Sequence, residues 1–244
     1  MQAPTVENVF ARSWDLLTRN WVIIVPGVVV GLLVGIILDL FYVGMPDAYG
    51  DPTTTAMTVT FGFGHFVVGL IAAVVGIAGY IITQCYTVGM AGAAWARGTT
   101  TLSDGSQAVH DDAGNVLVAG IYLLLTAVVA LILAPFTFFL SVFAFYLFTL
   151  YTIAAAVVGN RRGADALRES FSITRSRFAT TLIIGVVLAV LQIIGKVIAA
   201  VFGFAPLLGP IISAIIAQIV VAYAVLVVVG EYLVLRPSGA TAPP

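Results

Sequence analysis

Four ionisable side chains lie within or at the ends of long apolar stretches of this 244-residue sequence: Asp39, His65, Lys196 and Glu231. Charged groups in such surroundings are costly unless they are paired or used to carry a proton or a substrate. About 17 residues separate Asp39 and Lys196 from the polar starts of their stretches, which is ~25 Å along each helix at ~1.5 Å per residue. Because both groups reach the same depth, we predict an intramembrane polar pair between Asp39 and Lys196.

This predicted pair has two interpretations. In the structural one, two opposite charges neutralise each other where two helices meet. In the functional one, Asp39 and Lys196 form a coupled proton or substrate site. Glu231 lies close to the end of the last apolar stretch, where we expect it to meet Arg236 or another nearby arginine as an anchor at the membrane surface.

Other polar residues do not form a recognisable catalytic or metal-binding pattern. Asp111 and Asp112 are adjacent and share a polar segment with His110, but they lack the spaced third partner that a metal site needs. The sequence contains no phosphate-binding loop, nucleophile elbow or zinc helix motif. Cys85 is the only cysteine, so one chain cannot form a disulfide or a thiolate cluster. We therefore predict no enzymatic activity, no metal and no cofactor.

Six long apolar stretches must position these residues. The chain is 61% hydrophobic and only 9% charged, which is typical of an integral membrane protein. A bilayer core of ~30 Å requires roughly 20 apolar residues per helix. The stretches that meet this length are 21–43, 65–96, 116–134, 136–158, 179–202 and 207–235. They predict an all-α integral membrane protein with six transmembrane helices, forming one membrane domain over residues 21–236.

Basic residues indicate the orientation of this domain. Nine of the ten Lys and Arg residues lie in alternate gaps between the stretches, whereas the gaps at 44–64, around Pro135 and at 203–210 contain none. Loops that stay in the cytoplasm keep basic residues, so both termini are predicted to be cytoplasmic in a bacterial inner membrane. Pro135 is predicted to break the third and fourth spans into a hairpin. Residues 237–244 are predicted to be a disordered tail.

Two polar segments, residues 1–20 and 160–178, are predicted to be amphipathic helices at the cytoplasmic interface, here called the elbow helices. Apolar residues recur in each at intervals of three or four, namely Val6, Phe10, Trp14, Leu17 and Trp21, and Ala164, Leu167, Phe171, Thr174 and Phe178. We expect their arginines to contact anionic lipid headgroups or a protein partner: Arg12, Arg19, Arg161, Arg162, Arg168, Arg175 and Arg177. The pattern favours two ordinary connecting helices that lie at the headgroups, and a specific lipid or partner site is the alternative. The net charge of −1 gives no indication of nucleic-acid binding.

Small residues on two spans predict close helix packing. They recur every four residues, at Gly27, Gly31 and Gly35 on the first span and at Gly185 and Ala189 on the fifth. Such stripes let two helix backbones approach closely. We expect internal packing, because Asp39 shares a face with the first stripe and needs a partner; homodimerisation is the alternative.

A weak internal repeat is also visible. When Ser13 is aligned with Ser170, Trp21 falls opposite Phe178, and each of these aromatic residues begins a span. Residues 106–115 are a candidate for a shortened third copy. Three units, each with an elbow helix and a helical hairpin, would then repeat in the same orientation.

Residues 166–178 (ALRESFSITRSRF) resemble a motif of a bacterial membrane-domain family. That family is the membrane domain found fused to glycerophosphoryl diester phosphodiesterases, together with related stand-alone six-helix proteins of unknown function. Residues 11–21 are similar to its first elbow, and residues 231–236 are similar to its closing segment. The resemblance implies the six-helix membrane architecture. It does not imply hydrolase activity, because none of the 244 residues is left to form the phosphodiesterase barrel.

The sequence therefore favours a non-enzymatic membrane scaffold, or a domain that binds lipid or a partner protein. The rival hypothesis is a small permease or exporter that uses the Asp39–Lys196 pair, and a membrane-embedded enzyme acting on lipid ranks third. Transporters commonly contain helices broken near the middle of the bilayer. The breaks predicted here, at Pro135 and at 203–210, lie near the outer surface, which favours the scaffold.

Overall fold

Residues 6–43, 63–203 and 209–236 are described by the computed structural model, and within these ranges the chain forms helices and no strand. The predicted outer loop lies almost entirely outside the described residues, as do most of the last outer turn and the tail at 237–244. The α-helices are α1 (Val6–Arg19), α2 (Ile24–Val43), α3 (Phe63–Arg97), α4 (Leu102–Leu133), α5 (Leu140–Thr149), α6 (Thr152–Val157), α7 (Gly163–Ser176), α8 (Phe178–Gly203) and α9 (Gly209–Leu235).

Among the described residues, five helical segments are long and apolar enough to cross a membrane, and there are six if α1 and α2 count as one bent span. The bend between α1 and α2 is 87°. The outer faces of these segments expose large aliphatic residues such as Leu33, Leu124 and Ile193, as expected for a multi-pass membrane protein. The buried contacts are instead rich in alanine, including Ala91 and Ala155, which lets the helices pack closely.

The helices form three units arranged in a closed ring. The first unit is α1, α2 and α3, the second is α4 with α5 and α6, and the third is α7, α8 and α9. Within each unit the spans pack on each other, and the leading segment of each unit contacts the last span of the preceding one: α4 contacts α3, α7 contacts α6, and α1 contacts α9. This order agrees with the three-unit repeat seen in the sequence, with one difference. The second elbow segment is continuous with its span, so α4 runs unbroken from Leu102 to Leu133.

The two separate elbow helices have matching burial patterns. Ser13 and Ser170 are both fully buried, and the aromatic residues that follow them, Trp14 and Phe171, are 56% and 41% exposed. The elbow helix ends at Arg19 in one unit and at Ser176 in the other, at the same separation from the buried serine. The face of each elbow helix that contacts the bundle therefore contains a buried serine, while an aromatic residue of the predicted apolar stripe points outward.

The fourth span is broken, although the sequence suggested one helix over 136–158. Helix α5 ends at Thr149 and α6 begins at Thr152. The Ser170 hydroxyl of α7 donates to the Phe148 carbonyl and accepts a hydrogen bond from the Tyr151 amide. Thr174, one turn further along α7, donates to the Leu147 carbonyl. Side chains of the elbow helix thus satisfy backbone groups that the break removes from the helical ladder.

The hairpin between the third and fourth spans lies where Pro135 predicted it. A short 3-10 turn, Ala134–Thr137, follows α4, and Phe138 and Phe139 then adopt left-handed backbone angles with φ of 48° and 64°. Both phenyl rings are strongly exposed. Aromatic rings are common at membrane–water interfaces, so this position fits the membrane-surface end of the two spans.

Candidate functional site

The arginines predicted to contact lipid lie around one end of the bundle, here called the elbow end. It comprises α1, α7, the first turns of α4 and the C-terminal ends of α3 and α9. Arg12 is held there by Trp95: its guanidinium lies 4.6 Å from the ring centroid, and Nη2 donates to the Trp95 carbonyl oxygen at 3.4 Å. This cation–π contact orients Arg12 and fixes α1 against α3.

Three further arginines of the predicted set form ion pairs with neighbouring carboxylates. Each partner lies within eight residues along the chain. Arg19 pairs with Asp15 at 2.9 Å, Arg168 with Asp165 at 3.2 Å, and Arg161 with Glu169 at 2.6 Å. The first two pairs are largely exposed and contribute little to stability. Their main consequence is that these guanidinium groups already have an anionic partner.

Arg162, Arg175 and Arg177 differ from the others. All three are exposed, and none of the ion pairs found in the described part of the chain includes them. Phe171 and Phe178 lie on the same elbow and are 41% and 48% exposed. A guanidinium can bind phosphate oxygens through two parallel hydrogen bonds, and aromatic rings favour the headgroup level of a bilayer. The corner between α7 and α8 therefore combines both chemistries.

The Glu169 carboxylate links this corner to the last span. Its Oε2 accepts the Arg161 Nε–H at 2.6 Å, and its Oε1 accepts the Tyr232 hydroxyl of α9 at 2.8 Å. Gly159 makes room for the phenol, because a Cβ atom at this position would clash with the Tyr232 hydroxyl and the Ala155 carbonyl. The elbow α7 is thereby positioned by a polar cluster that the sequence patterns did not reveal.

Helix α1 is positioned mainly by side chains that carry no sequence motif. The buried Asn20 amide donates to the Leu16 and Gly98 carbonyls and accepts from the Thr100 amide, which ties the end of α1 to the connection after α3. Tyr223 of α9 donates to the Phe10 carbonyl at 3.3 Å. The sequence gives little indication of such long-range hydrogen bonds. The roles of Asn20 and Tyr223 were therefore not predicted.

An ion pair also joins α3 to the polar start of α4. Arg97, the last residue of α3, donates to Asp104 at 2.6 Å, and the Asp104 carboxylate also accepts from the Thr101 amide at 2.8 Å. Asp104 lies in the first turn of α4, well before its apolar part begins at Val116. The hydrogen bond from Arg97 lowers the pKa of the Asp104 carboxyl below its usual value. This pair fixes the connection between the first two units.

The acidic segment of α4 forms no evident metal site. His110 Nδ1 lies 2.9 Å from Asp111, and the side chains of Asp112 and Asn115 are also hydrogen-bonded. Within the described residues, no group of three or more His, Cys, Asp or Glu side chains is arranged to hold an ion.

The predicted Asp39–Lys196 pair remains a prediction, because the Asp39 side chain lies outside the described residues. The same applies to the side chain of His65. Lys196 is exposed on α8. The two helices concerned both pack against α9: a Cβ at Gly27 of α2 would meet Gln218, and a Cβ at Gly195 of α8 would meet Val220.

Glu231 is placed differently from expectation. It is only 3% exposed, and no ion pair in the described part of the chain includes it. Arg236, the arginine expected to meet it, is likewise part of none of these pairs. The position of Glu231 on the inner face of α9, near the buried Tyr151, accounts for this burial.

The glycine stripes pack only in part. Gly185 of α8 lies against Leu147, and Gly27 lies against Gln218, as noted above. Gly31 and Gly35, in contrast, face open space, with no heavy atom within 4 Å of a Cβ built there. Ala189 is partly buried on α8. The lower part of the first stripe therefore serves internal packing, whereas its upper part lies on the outer surface.

Comparison of the chain with protein-family models, with curated proteins and with solved structures finds no match. The resemblance to the phosphodiesterase-associated membrane domain thus stays a prediction.

Proposed function

We propose that this multi-pass protein is a non-enzymatic bacterial inner-membrane scaffold that binds anionic lipid headgroups at its elbow end. The observation that carries the proposal is the corner between α7 and α8. Arg175 and Arg177 are exposed there, beside the outward-facing rings of Phe171 and Phe178, and Arg162 is exposed at the other end of α7. None of the three has an acidic partner in the described chain.

Depth and charge both favour lipid binding at this corner. The aromatic rings would lie at the headgroup level, and the guanidinium groups would lie at the phosphates of the same leaflet. Basic residues close to an anionic membrane surface contribute about 1 kcal/mol each. The distribution of Arg along the chain favours the cytoplasmic leaflet, where anionic lipids and positive-inside loops coincide. A protein partner that presents an acidic surface would use the same guanidinium groups.

A direct test counts retained lipids. The protein is released from nanodiscs that contain phosphatidylcholine and phosphatidylglycerol, and native mass spectrometry measures the bound phosphatidylglycerol. Loss of ~1 kcal/mol per site corresponds to roughly a fivefold weaker interaction, so R175Q should retain clearly less phosphatidylglycerol. The triple variant R162Q/R175Q/R177Q should retain least.

R168Q is the matched control, since Arg168 lies on the same helix but is paired with Asp165. An equal loss in R168Q and R175Q would show that only net charge matters. Unchanged retention in the triple variant would refute the lipid site. A stoichiometric protein co-purifying with the wild type but not with the triple variant would shift the proposal from lipid to partner binding.

A permease or exporter is the second candidate, and the broken fourth span favours it. Discontinuous helices inside a bilayer are characteristic of substrate pathways, and the break between α5 and α6 lies well inside the span that the sequence predicted. In this case Asp39 and Lys196 would take part in the pathway. Cells that carry D39N or K196M should then lose the transport that the wild-type protein supports, although each variant still inserts and folds.

A further inference from the structure

A cavity of about 570 Å³ lies among five spans of the ring. It is bounded by α3, α4, the broken α5–α6 span, α8 and α9, so all three units contribute to its wall. Cavities of ~300–1,000 Å³ are the size that binds small organic molecules. The cavity is separate from the arginine corner described above, since none of the elbow residues lines it.

The lining is apolar with a few polar groups and no charge. Most of the described residues that line the cavity are Leu, Val, Ile and Ala, and none is ionised at neutral pH. The polar contributions come from two tyrosines, two glutamines and a threonine: Tyr80, Gln84, Tyr146, Thr149 and Gln192. A wall of this kind disfavours ions and phosphates, because nothing compensates the cost of removing their charge from water.

The two glutamines reach the same level. Gln84 lies 13 positions before the end of α3 at Arg97, and Gln192 lies 14 positions after the start of α8 at Phe178. At ~1.5 Å per residue, both amides are ~20 Å from the elbow end, deep within a bilayer core of ~30 Å. Both side chains are half-buried at the cavity wall, and no hydrogen bond found among the described residues includes either amide. Polar amides at this depth are costly unless a partner satisfies them.

The cavity opens toward the side of the bundle. Tyr80 on α3 and Leu124 on α4 both line it, yet they are 51% and 62% exposed. This exposed side of the two spans would face the hydrocarbon region of the membrane. A ligand would therefore enter from the bilayer and not from water.

We propose that this cavity binds a neutral amphiphile dissolved in the membrane. Its apolar body packs against the Leu, Val and Ala side chains, and a hydroxyl or carbonyl head hydrogen-bonds to the amides of Gln84 and Gln192. Gln suits both head types, since the amide donates to a carbonyl and also accepts from a hydroxyl. Leu150, next to the break in the fourth span, also lines the cavity, so the bound molecule contacts the irregular part of that span.

Photolabelling of the purified protein in nanodiscs tests this proposal. The probes are hexadecanol, hexadecane and hexadecyl phosphate, each with a diazirine at the same chain position. Peptide mapping should place the hexadecanol label on cavity residues of α3 and α8, with at least fivefold more label than from the phosphate. Equal cavity labelling by the phosphate, or hexadecanol labelling only on the outer surface, would overturn the proposal.

Two sets of variants locate the ligand. A224W fills the cavity and should reduce hexadecanol labelling at least fivefold, whereas A217W, on the exposed side of the same helix, should leave it within twofold of wild type. Q84L/Q192L should reduce labelling by hexadecanol but not by hexadecane, because only the alcohol uses the amides. If A224W does not fold, A127L narrows the same cavity with a smaller side chain. Wild-type labelling in the folded filling variant would refute the site.

Discussion

The Ser170 hydroxyl bridges the break in the fourth span by accepting a hydrogen bond from the Tyr151 amide at 3.1 Å. It also donates to the Phe148 carbonyl at 2.7 Å. An elbow helix therefore holds an intramembrane discontinuity in place from the outside. This geometry couples the position of α7 at the bundle end to the shape of the span that lines the cavity.

Removing this hydroxyl should destabilise the fold. S170A leaves one buried donor and one buried acceptor without partners, and each such loss costs about 1–3 kcal/mol. Thermal unfolding of the purified protein in detergent should show a clearly lower midpoint. S172A, an exposed serine on the same helix, should leave the midpoint unchanged. Equal midpoints for S170A and S172A would mean that the bridge contributes nothing.

The glycine stripes should differ in their tolerance of a methyl group. A Cβ at Gly185 meets the buried Leu147, so G185A should destabilise the protein by about 1–3 kcal/mol through overpacking. A Cβ at Gly31 meets nothing, and G31A should be neutral or up to ~1 kcal/mol stabilising, because Ala favours the helix. The thermal unfolding midpoints of G185A and G31A, compared with that of the wild type, measure this difference in tolerance. A larger loss in G31A would instead indicate that the open face packs against a second copy.

The phenol of Tyr232 should contribute measurably to the docking of α7. Y232F removes the donor to Glu169 and should cost about 1 kcal/mol. Y122F provides the comparison, since Tyr122 is 40% exposed on α4. The difference in unfolding midpoint between the two variants measures the bond. No difference would show that Arg161 alone satisfies the Glu169 carboxylate.

The predicted Asp39–Lys196 pair can be tested by measuring stability, without knowing the distance between the two side chains. If the two groups interact, D39N and K196M should each lower stability, and the double variant should lower it by less than the sum of the two effects. The coupling is obtained from a double-mutant cycle of unfolding midpoints. A destabilising D39N together with a neutral K196M would exclude the pair.

Cys85 should be unreactive in the folded protein. Its side chain is fully buried within α3, and it is the only cysteine in the chain. A membrane-permeant maleimide should therefore label the wild type only after unfolding, while S172C should be labelled at once. Rapid labelling of the folded wild type would show that α3 opens locally at this depth.

The sequence predicted the periodic and compositional features of this fold. The helical multi-pass character and the break at Pro135 follow from apolar stretches and a helix breaker, which are local information. The break at Leu150 was missed because the residue that stabilises it, Ser170, comes twenty positions later. The cavity was missed for a similar reason: Gln84 and Gln192 were visible as polar residues, but only the ring of helices places both in one wall.

The contact between α1 and α9 has a consequence for how the protein is made. Phe10 and Trp14 contact Tyr223, which is synthesised some two hundred residues after them. The first elbow can therefore bind Trp95 and Gly98 early, but its contacts with α9 form only after that helix has inserted. Closure of the ring therefore depends on α9, and a chain stalled before α9 would leave the face of α1 that binds Tyr223 uncovered.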